Sequence, residues 1–392
     1  MQEKLNILFI FTTGNLNSVY HKMWFNAFYH KEIDISLIIA HEKDSAAQEF
    51  FDTYNAFYRV HFTKPHQAIV KFPFLHIPAE FVRMLKFIRS VNPDIIHVQG
   101  CYNTFLVLPL LFIRKQYKLI FNIWGNDYNI LFTTSKNHQL LIRWLLKKSD
   151  LIWLMWYALT DKIKKDFPAY ANKTKTILWG VDSRLVTRKS SEQTLKELRR
   201  RFNLTDSSYK LIYVKGFKES NNQHELVKAL EKIEASLDFQ VILHCVGAND
   251  TRYLKAVEQL IHSYHLTKKV IVSQDYLTDE EMYGLFEIAD LSFAISSEDQ
   301  LTITIFETIL ANTNLILNDI EPYRILKQKT GINFDLIDIT DTERFGKKIE
   351  GYIQNRTSPD WRRAMEFIRN EYLFDKKTGI FINIYQDLLK EY

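Results

Sequence analysis

The sequence predicts an α/β protein made of two doubly wound, parallel-sheet domains in series. Chains longer than about 250–300 residues usually form more than one core, and this chain has 392 residues. Hydrophobic residues make up 46% of it, enough for two packed cores. Strand-like and helix-like segments also alternate in two successive series. We therefore predict a first domain over residues 1–182, a linker over 183–193 and a second domain over 194–392, whose last helix can pack back on the first domain.

The first series consists of short apolar runs separated by segments with helical periodicity. Strands that are apolar along their whole length and alternate with helices are typical of a parallel sheet covered on both faces. The predicted strands are 6–11, 34–40, 58–62, 95–99, 119–123, 151–154 and 176–178, and the predicted helices include 79–91, 140–148 and 160–167.

The second series follows the polar segment SRLVTRKSSEQ, which is the predicted linker. Two capping boxes, Thr278 with Glu281 and Thr304 with Glu307, are expected to begin two of its helices. The predicted strands are 211–214, 240–246, 270–273, 291–295 and 314–317, and the predicted helices are 224–233, 252–265, 280–289, 304–311 and 342–354, with two more over 360–392.

Composition excludes several classes of protein. Cys101 and Cys245 are too few for a disulfide framework and lack metal-ligand spacing, which favours a reducing cytoplasm. The longest apolar stretch of the first half, 105–113, is far short of the roughly 20 residues that span a bilayer. The N-terminal apolar run continues as a strand pattern, so we do not expect a signal peptide.

Charge is unevenly distributed along the chain. Residues 1–180 carry 22 Lys and Arg against 13 Asp and Glu, whereas the remainder carries 29 against 33. A basic half is compatible with an anionic membrane or an acidic acceptor, and equally with an ordinary solvated surface. Clustered cations with interleaved aromatic residues are missing, so nucleic acid is not an expected partner.

One basic segment contains several tryptophans. Residues 138–159 hold Arg143, Lys147 and Lys148 near Trp144, with Trp153 and Trp156 further on. Such a segment can lie on an anionic membrane. The alternative is an ordinary helix followed by a buried strand.

The loop after the strand 291–295 carries the most informative polar residues. Asp299 lies in this loop, and Glu307 lies eight positions later in the first turns of a helix. The backbone N–H groups of Gln300, Leu301 and Thr302 are expected next to the positive end of that helix, where a diphosphate is favoured. The two carboxylates could then bind hydroxyl groups on either side of it. Alternatively, Glu307 only completes the capping box with Thr304.

This segment, DQLTITIFETILAN, resembles the carboxylate-x7-Glu signature of glycosyltransferase family 4, in a subset with Asp as the first carboxylate. Further segments are similar to that family in the same order along nearly the whole chain: NPDIIHVQG, FNIWGNDYN, KTILWGVD, YKLIYVKGFKESNNQHELVKAL, LHCVGAND and LTDEEMYGLFEIADLSFAIS. The resemblance implies the GT-B fold, with two Rossmann-like domains facing across a cleft.

The resemblance also implies roles for particular residues. Asp299 would hold the donor sugar and Glu307 the nucleotide ribose, with Lys215 and Lys218 neutralising the diphosphate. Asp127 would orient the acceptor or its loop. Gly14 and Asn15, in a loop that passes near the phosphates in the family, are further site candidates.

The chain departs from the family pattern at two points. Trp124 stands where many members carry a His that contacts the sugar, and the usual Arg near Lys215 is missing. His97 follows an apolar strand and is interpreted as a buried or loop histidine.

The expected activity is transfer of a sugar from a nucleotide-diphosphate sugar, a UDP- or GDP-sugar, to an acceptor hydroxyl. The resemblance implies retention at the anomeric carbon, no metal and no cofactor beyond this co-substrate. It also implies a glycan or lipid-linked glycan acceptor in surface polysaccharide or glycolipid synthesis, with the protein in the cytoplasm or at the inner membrane face. A nucleotide-sugar epimerase and a catalytically degenerate partner subunit are the alternatives.

Overall fold

The computed structural model describes residues 4–12, 19–28, 33–40, 59–63, 73–114, 116–246, 249–299 and 301–390. The chain forms two compact units, one comprising Met1–Trp179 with Phe374–Tyr392 and the other Gly180–Leu373. Gly14, Asn15 and Gln300 lie outside the described residues.

The first unit contains a seven-stranded parallel sheet in the order β3-β2-β1-β4-β5-β6-β7. The strand order reverses between β1 and β4, which makes this a doubly wound sheet. Every residue of β4, β5 and β6 is buried, as expected for strands covered on both faces. The strands are β1 Leu5–Phe11, β2 Ile33–Ala40, β3 Arg59–Thr63, β4 Ile95–Gln99, β5 Lys118–Ile123, β6 Leu151–Leu154 and β7 Thr174–Thr176.

Helices cover this sheet, and the last helix of the chain is one of them. In that last helix, α16, the rings of Phe374 and Phe381 lie 5.4 and 5.3 Å from the ring of Trp24. The described helices of the unit are α1 Val19–Phe28, α2 Pro73–Val91, α3 Thr104–Val107, α4 Phe132–Thr134, α5 Lys136–Lys148, α6 Tyr157–Asp166 and α16 Phe374–Lys390, with 3₁₀ turns over Leu108–Phe112 and Pro168–Lys173 and a π turn over Asp127–Leu131.

The second unit contains a six-stranded parallel sheet in the order β10-β9-β8-β11-β12-β13, which reverses between β8 and β11. Its strands are β8 Tyr209–Val214, β9 Phe239–His244, β10 Val270–Ser273, β11 Leu291–Ala294, β12 Asn314–Asn318 and β13 Asp335–Ile337. Its helices are α7 Arg184–Thr187, α8 Glu192–Arg201, α9 Gln223–Glu231, α10 Thr251–Ser263, α11 Asp279–Ile288, α12 Ile303–Leu310, α13 Glu321–Thr330, α14 Thr342–Asn355 and α15 Arg362–Glu371, with a 3₁₀ turn over Glu219–Asn221. Two doubly wound parallel sheets confirm the predicted fold class.

The segment predicted as a linker is part of the second unit. The backbone N–H groups of Ser190 and Ser191 donate to the carboxylates of Glu287 and Glu280, both at 2.9 Å. The Ser191 hydroxyl also caps α8. The polar residues of 183–193 therefore cap α8 and form hydrogen bonds with α11.

One predicted capping box is confirmed and the other is wrong. Thr278 and Glu281 form the reciprocal pair at the start of α11. In α12, by contrast, Thr302 occupies the N-cap position and Thr304 lies inside the first turn. Glu307 is the fifth residue of that helix, so capping does not account for its side chain.

Candidate functional site

Lys215 and Asp299 meet where the strand order of the second sheet reverses. Lys215 directly follows β8 and Asp299 belongs to the loop after β11, and the Lys215 Nζ lies 3.2 Å from the Asp299 Oδ2. The buried Tyr323 hydroxyl donates to the same carboxylate oxygen at 2.9 Å. Burial, and the charge of Asp299, raise the pKa of Tyr323 well above its usual value, so it stays a donor. Ligands of open α/β sheets bind at this reversal, beyond the carboxyl ends of the strands.

Hydrogen bonds join the two loops that carry this pair. Asn222 Nδ2 donates to the carbonyl of Ile295 at 2.8 Å, and the Ser297 N–H donates to the carbonyl of Ser220 at 2.8 Å. Asn221 Nδ2 donates to the carbonyl of Gly216 at 2.6 Å. The loops therefore hold Lys215 and Asp299 in a fixed arrangement.

Leu301 and Thr302 lead from this loop into α12. Leu301 is buried and has a φ of 76°, a left-handed conformation that is uncommon for a leucine. Thr302 makes no side-chain capping bond to the backbone; its hydroxyl lies 3.1 Å from that of Thr304. The Thr302 side chain therefore leaves the first N–H groups of α12 open to another acceptor.

Glu307 is a partly buried carboxyl group on α12. Among the residues that the structure describes, none forms a hydrogen bond or ion pair with its carboxylate. Burial raises its pKa to about 7, while the positive charge of Arg188 acts to lower it and the negative charge of Asp279 acts to raise it. At neutral pH this group is thus balanced between its two protonation states.

Arg188 is a cation that sequence reasoning missed, because it falls in the predicted linker. It follows α7, which packs against α12, and its guanidinium lies 4.0 Å from the carboxylate of Asp279. The spacing of the signature motif carries no information about this residue, which comes from a separate segment of the second unit.

Lys218 differs from Lys215 in its surroundings. Its side chain is exposed and lines an open groove of about 770 Å³, together with His224, Asn249 and Glu298. No described residue forms an ion pair with it. Lys218 is therefore available to a ligand in that groove, whereas Lys215 is already paired with Asp299.

Asp127 is a buried carboxylate that organises its own loop. It accepts backbone N–H groups from Gly125 at 2.8 Å and from Cys101 and Tyr128 at 3.1 Å, and also from Trp124. Burial raises its pKa to about 6 against the opposing effect of these four donors. The residue is fully buried and its oxygens are occupied, so Asp127 holds the backbone of its own loop, and its predicted part in orienting the acceptor stays a prediction.

A chain of buried hydrogen bonds leads from α16 to Trp124. His97 Nδ1 lies 3.0 Å from the hydroxyl of Tyr385, His97 Nε2 lies 3.2 Å from Gln99 Nε2, and Trp124 Nε1 donates to Gln99 Oε1 at 3.2 Å. Burial lowers the pKa of His97 to about 3, so the imidazole is neutral. His97 is thus a buried, hydrogen-bonded histidine.

The tryptophans of segment 138–159 do not form an exposed belt. Trp153 and Trp156 are buried, because Trp153 belongs to β6, and Trp144 is partly buried against the core. Arg143, Lys147 and Lys148 remain exposed. The alternative interpretation, an ordinary helix followed by a buried strand, is therefore the correct one for this segment, and Trp153 and Trp156 are not available to a membrane.

The described residues contain neither a membrane-spanning helix nor a cluster of metal ligands. None of the described helices is both long enough and apolar enough to span a bilayer. Within the same residues, no three His, Cys, Asp or Glu side chains are grouped in a way that could hold a metal ion, and metal independence stays a prediction.

The chain matches two protein-family models, one in each unit. Residues 195–372 match the family described as glycosyl transferases group 1, and residues 7–155 match glycosyl transferase 4-like domains. With the two sheets described above, these matches support a GT-B glycosyltransferase. None of the curated protein sequences matches the chain.

Several solved structures share the fold over nearly the whole chain. Anabaena HepE in complex with UDP and glucose has a TM-score of 0.76 at 15% identity, over 98% of this chain and 100% of that one. A glycosyltransferase from Rickettsia africae has a TM-score of 0.74 at 16% identity, over 99% and 100%. Sucrose-phosphate synthase from Thermosynechococcus elongatus has a TM-score of 0.74 at 12% identity, over 99% and 100%.

Proposed function

We propose that this protein transfers a sugar from a nucleotide-diphosphate sugar to an acceptor hydroxyl, and that the second unit binds the donor. The observation that carries the proposal is the Lys215–Asp299 pair at the strand-order reversal, followed by a helix whose Glu307 carboxylate is paired with none of the described residues. A cation, carboxylates that accept hydrogen bonds from hydroxyl groups, and a helix N-terminus that the Thr302 side chain does not cap suit a diphosphate that carries a sugar at each end.

Each group then has a role. Lys215 and Lys218 neutralise the diphosphate, together with the backbone N–H groups of Gln300, Leu301 and Thr302. Asp299 accepts a hydrogen bond from a hydroxyl of the donor sugar. Glu307, when ionised, accepts hydrogen bonds from the ribose hydroxyls. UDP is the preferred nucleotide, because HepE, which shares the fold, was crystallised with UDP and with UDP-glucose.

The reaction breaks the bond between the anomeric carbon and the diphosphate oxygen and forms one to the acceptor oxygen. The acceptor proton passes to the departing diphosphate, and attack from the same face retains the anomeric configuration. Charge develops on the diphosphate as the sugar becomes oxocarbenium-like. Cations fixed beside that oxygen lower the barrier because they need no reorganisation. Asp299 is held by Lys215 and Tyr323, so it positions the sugar and does not attack it.

The acceptor is a glycan or a lipid-linked glycan, and the first unit binds it. The basic composition of that unit supports an acidic or membrane-bound acceptor. Asp127 contributes by fixing the backbone of residues 124–128. We place the reaction at the inner face of a membrane, in the synthesis of surface polysaccharide or glycolipid.

Calorimetric titration with UDP and GDP tests the donor site. Wild-type protein is expected to bind one of them, and Glu307→Ala is expected to weaken binding while the protein stays folded. Glu258→Ala, an exposed glutamate on α10, is the matched control. Unchanged affinity in Glu307→Ala would contradict the assignment. Failure to bind any nucleotide or nucleotide sugar would favour the degenerate partner subunit, and conversion of a nucleotide sugar without an acceptor would favour the epimerase.

A further inference from the structure

One surface of the first unit combines exposed apolar side chains with cations. It is formed by α2, by the 3₁₀ turn Leu108–Phe112 and by α5, and we call it the basic apolar face. Phe112 is 64% exposed and Leu140 is 69% exposed, and several large apolar side chains exposed on adjoining elements can mark an interaction surface. The exposed apolar residues of the face are Ile77, Val82, Leu111, Phe112 and Leu140.

The three elements are neighbours in the first unit. The Phe112 ring on the turn contacts the Phe81 ring on α2 edge-on, with centroids 5.3 Å apart. The turn continues directly from α3, which packs against α5. His138 Nε2, near the start of α5, lies 3.2 Å from the carbonyl oxygen of Tyr102, just before α3. The exposed apolar side chains therefore lie on adjoining elements.

Within the described residues of these three elements, the exposed charged side chains are cations and none is a carboxylate. From residue 95 to 149 the sequence contains one carboxylate side chain, Asp127, and that residue is buried. On α2, Glu80 is buried and contacts His61 and Arg83. The exposed cations of the three elements are Arg83, Lys86, Arg89, Lys136, Arg143 and Lys147, and Arg114 follows the turn.

We propose that the basic apolar face docks on an anionic lipid surface. Lysine and arginine side chains are attracted to anionic headgroups, and phenyl and leucyl side chains gain free energy when they enter the interface beside them. A polyanionic glycan in solution would engage the cations but would leave Phe112 and Leu140 in water. A second copy of this chain is disfavoured because a two-fold contact would place cations against cations.

The inference rests on the membrane-bound acceptor of the proposed function and names the surface that meets the membrane. It uses none of the donor-site residues. Vesicle binding is therefore measured without donor, and a protein that failed to bind UDP could still pass this test.

Sedimentation of the full chain with lipid vesicles tests the proposal. We expect binding to vesicles of equal parts phosphatidylcholine and phosphatidylglycerol and none to phosphatidylcholine alone. The double variant Phe112→Glu with Leu140→Glu is expected to lose about tenfold or more in affinity for the anionic vesicles. Lys86→Ala with Lys136→Ala is expected to lose a similar factor and to show a weaker dependence on salt.

Matched controls separate docking from general changes of the surface. Ile380→Glu removes an exposed isoleucine elsewhere on the first unit, and Lys164→Ala with Lys165→Ala removes two exposed lysines of α6. Both controls should bind as wild type does, and unfolding curves should show that every variant is folded. The proposal is overturned if the Phe112→Glu, Leu140→Glu variant binds anionic vesicles as tightly as wild type does. It is also overturned if wild type does not bind these vesicles. A concentration-dependent dimer that Phe112→Glu dissociates also overturns it.

Discussion

The Lys215 Nζ and the Asp299 Oδ2 lie 3.2 Å apart, although 84 positions separate the two residues in the chain. The pair is largely screened from water, with 22% of the lysine side chain and 7% of the aspartate side chain exposed. A diphosphate that approaches Lys215 therefore meets a cation already held by a carboxylate. The same contact fixes the orientation of both side chains in the protein without ligand.

Lys215→Ala should weaken UDP binding by about tenfold, or ~1.4 kcal/mol, because it removes the paired cation and leaves Asp299 beside the phosphates. Calorimetry measures the change. In a double-mutant cycle with Asp299→Asn, the two effects should not add, since the residues are in contact. Lys210→Ala, at the opposite end of β8, should leave UDP affinity unchanged, and equal losses in the two lysine variants would argue against a specific role for Lys215.

Glu307→Gln should stabilise the protein without ligand while it weakens UDP binding. The pKa of Glu307 is about 7 in the folded protein and about 4.3 in the unfolded chain. The folded protein therefore favours the protonated carboxyl group. The stability that this group contributes is complete below about pH 4.3 and is lost as the pH rises through 7. We expect a gain of about 1 to 2 kcal/mol at pH 8, discounted for partial exposure, and none at pH 4. Denaturant unfolding at both pH values measures it, and an equal gain at pH 4 would exclude titration as the cause.

Arg188→Ala should shift the pH dependence of UDP binding to higher pH. Arg188 acts to lower the pKa of Glu307, so its removal raises that pKa and leaves less ionised carboxylate at neutral pH. Titrations between pH 6 and 9 locate the midpoint. Arg184→Ala removes an exposed guanidinium that pairs with Asp182 and serves as the control. An unmoved midpoint in Arg188→Ala would mean that its charge does not act on Glu307.

Asp127→Asn should destabilise the first unit by about 3 kcal/mol, because an amide NH₂ would face backbone donors that the carboxylate now accepts. Chemical unfolding measures the loss. The pKa of Asp127 is about 6, above its usual value, so the ionised carboxylate is less favourable in the folded protein than in the unfolded chain. Protonation of Asp127 below pH 6 therefore removes part of the free-energy cost of burying its charge. Asp161→Asn, on the exposed side of α6, should have little effect. A stable Asp127→Asn protein with intact activity would contradict the positioning role.

Tyr385→Phe should cost about 1 to 2 kcal/mol of stability, because it leaves a buried donor of His97 unpaired. The direction of each bond in that chain follows from Trp124, whose indole only donates. Gln99 must turn its oxygen to Trp124 and its NH₂ to His97 Nε2, so Nδ1 carries the proton. Nitrogen NMR of His97 should show the Nδ1–H tautomer in wild type. The Nε2–H tautomer would contradict this arrangement, and Tyr276→Phe, at an exposed tyrosine, is the stability control.

Local sequence patterns predicted most of the fold, because apolar strands and helix periodicity are properties of neighbouring residues. The seven strands of the first sheet were all anticipated, although β7 begins two residues earlier than expected. The short strand β13 was missed because its three residues have only one fully buried side chain. The first residues of α8 were predicted to belong to the linker, because α8 is an exposed helix and its sequence is as polar as that of a linker.

The site was predicted less completely because its contacts join distant segments. The signature spacing singled out Asp299 and Glu307, but nothing near Lys215 in the sequence indicates that Asp299 is its partner. The resemblance implied that Asp127 orients the acceptor or its loop, but no local pattern indicated its burial or its four backbone donors, because these are tertiary features. No local sequence pattern indicated that Arg188 lies near Glu307.

The second unit begins at Gly180 and ends at Leu373, and its two ends are adjacent in space. Val181 forms a parallel β-bridge with Leu373, and the Val181 N–H donates to the carbonyl of Tyr372 at 2.8 Å. The chain thus enters and leaves this unit side by side, as in a domain inserted into a host. Splicing Trp179 to Phe374 would join the two segments of the first unit into one continuous chain that keeps α16, and the excised unit could be exchanged for another of the same fold.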